Sequence, residues 1–299
     1  MKIIYEKDKK IRLDKFLSSN LSFTRNKITQ FINSGQVKVN GTVVKKAANL
    51  IKFSDEIIID ENEHQAQKKI SNPDYNLKIK YEDDDLLIIS KDSGIIVHPS
   101  PNTKTVTLVD ILLNFFPKIS TVGENSRPGI VHRLDKGTSG LMVIAKKNII
   151  LDSLRDQFKK RKVIKEYLAI VNGNTKDKGI INAPIGRHPK DRKKRALIST
   201  GKEAYTMYEK ICNENNLSLL KVKIETGRTH QIRVHLSSVG HPVYGDKVYS
   251  KKYKNISSRI LLHSYRLKFL HPLKKNYIDI KDDIPKEFIM EFKNIEKVL

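Results

Sequence analysis

Apolar residues recur along the first sixty positions with two different periods. Leu13, Phe16, Leu17 and Leu21 fall at helical spacing, and so do Ile28, Phe31 and Ile32. Gly35 follows the second run and is expected to stop it by taking the left-handed turn beyond the C-cap. Val37-Lys38-Val39 and Thr42-Val43-Val44 then flank Asn40-Gly41. That dipeptide suits a two-residue hairpin turn, in which both central residues need positive φ. Residues 11 to 60 therefore predict a small helix-and-hairpin unit within an N-terminal domain spanning 1–60. Residues 61–74 are polar and aperiodic, which predicts a linker.

From residue 75 onward the pattern changes. Leu86–Ile89, Leu141–Ala145, Tyr167–Val171 and Leu217–Ile224 are apolar runs of strand length. Leu108–Phe116, Ile149–Phe158 and Ile232–Val239 repeat at helical spacing. Strands mixed irregularly with helices predict an α+β domain over 75–299. No internal repeat stands out.

Composition narrows the partner. The 299-residue chain carries 57 Lys and Arg against 33 Asp and Glu, a net charge of +24. Such a field draws polyanions, and counterion release makes phosphate binding strong and salt-sensitive. A bias toward Lys, Ile and Asn also arises from genome composition, so charge alone is a partial argument for nucleic acid. One cysteine, Cys212, leaves no internal disulfide and no cysteine-based zinc site. The N-terminal stretch is charged again by Glu6, and no apolar run reaches membrane-spanning length. A soluble, cytoplasmic protein without a membrane partner is expected.

Three motifs could carry chemistry. The first is His132-Arg133-Leu134-Asp135-Lys136-Gly137-Thr138-Ser139-Gly140, a tight loop feeding a buried strand. Taken alone, Asp135 could simply hydrogen-bond backbone amides in that turn. The second is Lys165-Glu166-Tyr167-Leu168-Ala169-Ile170-Val171, where a tyrosine opening an apolar strand is ordinarily core. The third runs from Thr226-Gly227-Arg228-Thr229-His230-Gln231-Ile232-Arg233 to Gly240-His241-Pro242. Thr229 is expected to cap the helix, Gly240 and Pro242 to end it, and Ile232, Leu236 and Val239 to form its core stripe. Arg233 lies off that stripe near the positive end of the helix, where a cation needs an answering anion. Asp135 is the candidate.

Metal and nucleotide-phosphate sites are set aside. His230 and His235 diverge on a helix, no His-Glu-x-x-His pattern occurs, and the glycine spacing contains neither a P-loop nor a dinucleotide fingerprint. The loop from Arg187 to Arg195 holds six Lys or Arg and one His, which is too charged for core. It reads as a solvated hairpin or, beside an RNA, as a phosphate contact.

Two resemblances organise these residues. The stretch from Ile11-Arg12-Leu13-Asp14-Lys15-Phe16-Leu17 to Gly35-Gln36-Val37-Lys38-Val39-Asn40-Gly41 resembles the S4 RNA-binding domain. Thr24-Arg25 stands there where that family usually has Ser-Arg. Arg12, Arg25 and Lys27 are its implied RNA-binding residues. From residue 75, Arg133 to Gly140 with the other two motifs resembles the RluA-type pseudouridine synthase family. The Gly245-Asp246, Leu262-His263 and His271-Pro272 pairs extend the match. An S4 domain ahead of it, together with Ala183-Pro184-Ile185-Gly186-Arg187-His188-Pro189, is most similar to the RluD-like subgroup. Asp92 after Lys91, and Arg195 after the basic loop, depart from the family pattern.

The resemblance implies a mixed, mainly antiparallel sheet with flanking helices. It also implies isomerisation of uridine to pseudouridine: the bond from uracil N1 to the ribose is cut, the base turns, and C5 is joined instead. Substrate and product are isomers, so no cofactor and no metal are implied. Asp135 is the implied catalytic carboxylate, Arg233 its partner, and Tyr167 the active-site tyrosine. An adjacent guanidinium favours an ionised carboxylate, and an ordinary phenol titrates too high, near ~10, to act unaided as a base. Arg133 is implied to fill the space left by an extruded uridine. Arg228, Arg187 and Arg192 are further RNA-binding candidates. The implied partner is 23S-type ribosomal RNA, at the helix 69 hairpin, bound by a monomer. A tRNA substrate is the alternative within the enzyme class, and a non-catalytic ribosome-assembly factor is the alternative outside it. An altered Asp135, Tyr167 or Arg233 would have favoured the last, and all three are intact.

Overall fold

In a computed structural model the chain divides into two compact units, Met1–Lys69 and Ile70–Leu299. The structure describes all residues except 22, 24, 61–74, 100–102, 104, 125, 192–193, 251–256, 258, 294 and 299. The expected linker therefore lies outside the described residues.

The first unit contains β1 (Lys2–Ile4), β2 (Ile11–Arg12), α1 (Leu13–Asn20), α2 (Arg25–Asn33), β3 (Val37–Val39), β4 (Thr42–Val43), β5 (Leu50–Ile51) and β6 (Glu56–Ile59). Four of its strands form a sheet in the order β1-β6-β3-β4. Asn40 and Gly41 take φ of 51° and 78°, which closes the expected hairpin. Gly35, at φ 80°, ends α2 with its N–H bonded to Ile32 O and that of Gln36 to Phe31 O. Leu13, Leu17, Ile28, Phe31 and Ile32 pack into one core with Val37, Ile51 and Ile57.

The second unit is built on a nine-stranded sheet. Its elements are β7 (Lys78–Glu82), β8 (Leu86–Lys91), α3 (Leu108–Phe115), a 3-10 turn at Pro117–Thr121, β9 (Ser139–Ala145), α4 (Asn148–Lys159), β10 (Ile164–Asn172), β11 (Lys178–Asn182), β12 (Ile185–Arg187), β13 (Arg195–Leu197), β14 (Tyr205–Glu214), β15 (Leu217–Ile224), α5 (Gln231–Ser238), β16 (Leu262–Leu270), β17 (Tyr277–Lys281), α6 (Lys286–Glu291) and α7 (Ile295–Val298). The sheet order is β11-β14-β15-β10-β16-β9-β8-β7, with β17 also on β16. Every pairing is antiparallel except β16 with β9. This is the mixed, mainly antiparallel α+β sheet the resemblance implies. β12 and β13 form a separate two-stranded ribbon that carries the basic loop.

Both faces of the sheet are covered, which is why β8 and β9 read as unbroken apolar runs rather than alternating ones. Leu87, Ile89, Met142 and Ile144 pack on one face with Leu108 and Leu112 of α3 and Ile232 and Leu236 of α5. Leu86, Ile88, Leu141 and Val143 pack on the other with Ile150, Leu151 and Leu154 of α4. Tyr167 and the helix carrying Arg233 belong to the first face.

α5 departs from its expected form in two ways. Its N-cap is His230, not Thr229, and no side chain caps it. The Gln231 side chain instead braces the loop ahead of the helix: its Oε1 accepts from Arg228 N at 3.0 Å and from Thr226 Oγ1 at 2.7 Å. Val239 lies past the last helical turn and is 45% exposed, so it is not part of the core stripe. Gln231 to Leu236 are all buried, because the helix is embedded on several sides rather than along one stripe. The expected stop is present: Gly240 sits at φ 88°, with its N–H on Ser237 O and that of His241 on Leu236 O.

Candidate active site

Three separate stretches meet at one cleft with an empty volume of about 530 Å³, open to solvent. The Asp135 loop, the start of β10 and the N-terminal turn of α5 line it.

Local chemistry holds the Asp135 loop. Thr138 N donates to Asp135 O at 3.1 Å, which closes the turn. Ser93 Oγ and Gly94 N donate to Gly137 O and Lys136 O. Gly140 takes φ +110°, and an added Cβ would lie 2.3 Å from Ser264 O. Only glycine lets β9 and β16 approach so closely in parallel. The Asp135 side chain does not bond the turn amides. Its Oδ2 accepts from Arg233 Nη1 at 3.1 Å, and Oδ1 has no hydrogen-bond partner among the described residues.

Arg233 is 4% exposed and meets two carboxylates. Its Nε and Nη2 donate to the two oxygens of Asp246 at 2.7 and 3.1 Å. Burial opposes the guanidinium charge, but the Asp246 hydrogen bonds and both carboxylates outweigh it and raise the pKa above its ordinary value. Asp246 is fully buried and also accepts from the backbone N–H of Val248 and Tyr249. With the fork filled by Asp246, only Nη1 is left to meet Asp135, at a defined angle.

Tyr167 is placed by a register shift. Glu166 pairs with Arg266 of β16 while Tyr167 pairs with Ser264, so Tyr265 is the extra residue of a bulge opposite Tyr167. Bulges re-aim neighbouring side chains, and here the phenol lines the cleft. Burial pushes its pKa well above the ordinary range; the Asp135 charge adds to this and Ser264 opposes it. The ring therefore enters the site as a neutral phenol.

The other candidates divide by surroundings. Arg133 is exposed at the cleft, with Nη1 3.2 Å from His98 Nε2. Arg228 lines the cleft and donates through Nε to Glu203 O at 2.8 Å. Arg187 is exposed on the ribbon, and Arg192 lies outside the described residues. In the first unit, Arg12 and Arg25 both pair with the buried Asp14, at 3.0 and 2.9 Å. The Arg12 hydrogen bond, with help from Arg25, holds that carboxyl well below its usual range. The side chain of Lys27 lies outside the described residues.

Sequence reasoning missed four residues. Asp246 was visible only as half of a Gly-Asp pair, although a buried arginine demands more acceptors than Asp135 offers. His230 stands beside Asp135, and Tyr249 beside Arg233, through tertiary contacts. Lys91 is 1% exposed and donates to Asp92 O and Ile95 O; burial lowers its pKa to about 7 against the opposing pull of Asp135. Away from the cleft, Asp83, Asp85 and His271 offer ligand atoms within 4.8 Å of one another. Lys274 and Lys147 already sit 2.7 Å from those carboxylates, which makes the group a charge network.

A cleft that joins an arginine-paired carboxylate to a buried tyrosine, on a mixed sheet beside a basic ribbon, defines an RNA-directed enzyme. The family model for RNA pseudouridylate synthase matches residues 85–238, and that for the S4 domain matches residues 11–57. An RNA pseudouridine synthase of Aquifex aeolicus is 41% identical, over 93% of this chain and 91% of its own length. The ribosomal large subunit pseudouridine synthase D of Zymomonas mobilis is 37% identical, over 94% and 93%. The structure of human RNA pseudouridylate synthase domain containing 1 superposes with a TM-score of 0.57 and 28% identity, covering 70% of this chain and 84% of that one. This chain belongs to the RNA pseudouridine synthase family and carries an N-terminal S4 domain. Among the described residues no helix is long and apolar enough to cross a membrane.

Proposed function

We propose that this protein converts uridine to pseudouridine in large-subunit ribosomal RNA, in the loop of the helix 69 hairpin, with Asp135 as the reacting carboxylate. The observation that carries the chemistry is the Asp135–Arg233 contact, 3.1 Å long and backed by buried Asp246. It seats Oδ2 against a buried guanidinium and leaves Oδ1 for substrate. Attack on C1′, attack on the base, and proton abstraction toward a glycal all need that same ionised oxygen.

Tyr167, as a neutral phenol, stacks on the extruded base and offers a hydroxyl rather than a phenolate. Arg133 occupies the space the base leaves, and the ribbon loop from Arg187 to Arg195 holds phosphates of the stem. Residues 1–60 add affinity and target choice, while residues 75–299 carry out the chemistry. The ribosomal target is supported by the names of relatives that match along most of this chain, such as the large-subunit synthases of Zymomonas mobilis and Haemophilus ducreyi.

Mapping pseudouridines in ribosomal and transfer RNA from cells with and without the protein tests this reading. Loss confined to helix 69 supports it. Helix 69 modification that persists while a tRNA position loses its pseudouridine overturns the target.

A further inference from the structure

Besides Arg233, the imidazole of His230 can present an N–H to the Asp135 carboxylate. His230 Nε2 lies 3.9 Å from Asp135 Oδ2. Its Nδ1 is 2.8 Å from Tyr249 Oη, and that oxygen accepts the backbone N–H of Arg195 at 2.8 Å. With Arg195 donating into the phenol oxygen, the phenol's own proton is free for Nδ1. With that proton donated to Nδ1, the neutral imidazole carries its hydrogen on Nε2, facing the carboxylate.

Two further observations point the same way. His230 sits at φ 59°, ψ 19°, a left-handed conformation that costs a residue with a side chain roughly 1 kcal/mol or more. It is the N-cap of α5, yet it makes no capping hydrogen bond. Its carbonyl accepts from Val234 N at 2.9 Å, so the backbone starts the helix while the ring is left to face the cleft. Tyr249 also touches both partners of the carboxylate: its ring meets His230 edge-on at 5.6 Å and lies under the Arg233 guanidinium at 5.1 Å. Burial lowers the imidazole pKa, and Arg233 and Arg195 reinforce this against Asp135 and Asp246, so the ring is neutral near pH 7.

We propose that His230 is a positioning residue for Asp135, held by Tyr249 in the tautomer that turns Nε2–H to the carboxylate. Tyr249 is in turn fixed by the backbone of β13. This rests on the reading of Asp135 as the reacting carboxylate. The gap of 3.9 Å exceeds a hydrogen bond, and it closes when substrate fills the cleft, as contacts in free enzymes commonly tighten in the complex. Because the Arg195 amide stands at the foot of the basic ribbon, hydrogen bonds run from the seat of that ribbon through Tyr249 to His230, and closing the last gap would extend them to the carboxylate.

The test uses the full chain and single turnover at saturating RNA hairpin. His230→Asn keeps a residue that tolerates the left-handed conformation and can accept from Tyr249, but it is too short to reach Asp135. His230→Gln restores an N–H near the Nε2 position. Tyr249→Phe removes only the phenol hydroxyl. His230→Asn should lower the saturating rate by about tenfold or more, with the RNA dissociation constant within about twofold of wild type. His230→Gln should recover part of that rate, and Tyr249→Phe should fall in the same direction. Saturating rates within about twofold of wild type for both His230→Asn and Tyr249→Phe would overturn the proposal, as would a loss carried by RNA affinity alone. Asp135→Asn, measured alongside, separates the two levels. If it is inactive while the other variants are normal, only the role of His230 fails; if it is active, the reading of Asp135 fails first.

Discussion

Asp246 grips Arg233 through two hydrogen bonds of 2.7 and 3.1 Å, and by doing so leaves a single guanidinium nitrogen to meet Asp135. The pair is buried on both sides, at 4% and 0% exposure. Its worth is geometric: it fixes where the charge beside Asp135 sits.

Breaking that pair from one side should be costly. Arg233→Met strands Asp246 in the interior and is expected to destabilise by about 3–5 kcal/mol in urea denaturation. Arg233→Met combined with Asp246→Leu removes both charges and should cost less than the single change, while activity stays lost. A single-variant cost under about 1 kcal/mol would show that Asp246 is satisfied without Arg233.

Gly140 should tolerate no side chain. Its φ is +110°, and a Cβ would fall 2.3 Å from Ser264 O, where β9 meets β16. Gly140→Ala is expected to destabilise by at least ~2 kcal/mol and to displace the Asp135 loop, with pseudouridine formation falling too. Unchanged thermal melting would contradict this account of the loop.

Lys91 gives a pH signature. Burial brings its native pKa to about 7, whereas in the unfolded chain it titrates near ~10.4. Between those values the unfolded state binds the extra proton, so this group makes stability rise with pH, by at most ~1.4 kcal/mol per unit. Below that window both states are protonated and the slope disappears. Wild type should therefore gain stability over Lys91→Met between pH 7 and 9 in urea titrations. A constant difference would mean that Lys91 is charged in the native state.

Local signals were legible and long-range ones were not. The Asn40-Gly41 hairpin, the Gly35 and Gly240 helix stops and the β15 run follow from neighbouring residues. β9 begins at Ser139 rather than Leu141, because Ser139 and Gly140 owe their strand character to pairing with β16. The Val239 stripe failed because α5 ends at Ser238 and is embedded, so periodicity no longer marks a single inner face. Asp135, Tyr167 and Arg233 were found by motif, and the structure brings them to one cleft. Asp246 and Tyr249 escaped notice because contacts across the fold, not spacing, bring them to Arg233.

The basic ribbon should act through phosphates. Arg187 and Lys190 are exposed, and replacing both with Gln should reduce the slope of log binding constant against log salt by roughly one unit for each phosphate no longer neutralised. Affinity should fall alike for related and unrelated hairpins. A drop confined to one RNA sequence would instead assign these residues to base recognition.

The role of Asp135 is tested most directly by Asp135→Asn, assayed for pseudouridine formation on an RNA hairpin in single turnover. No detectable product is expected, with thermal stability and RNA affinity near wild type. Turnover within about tenfold of wild type, a barrier change of only ~1.4 kcal/mol, would contradict it.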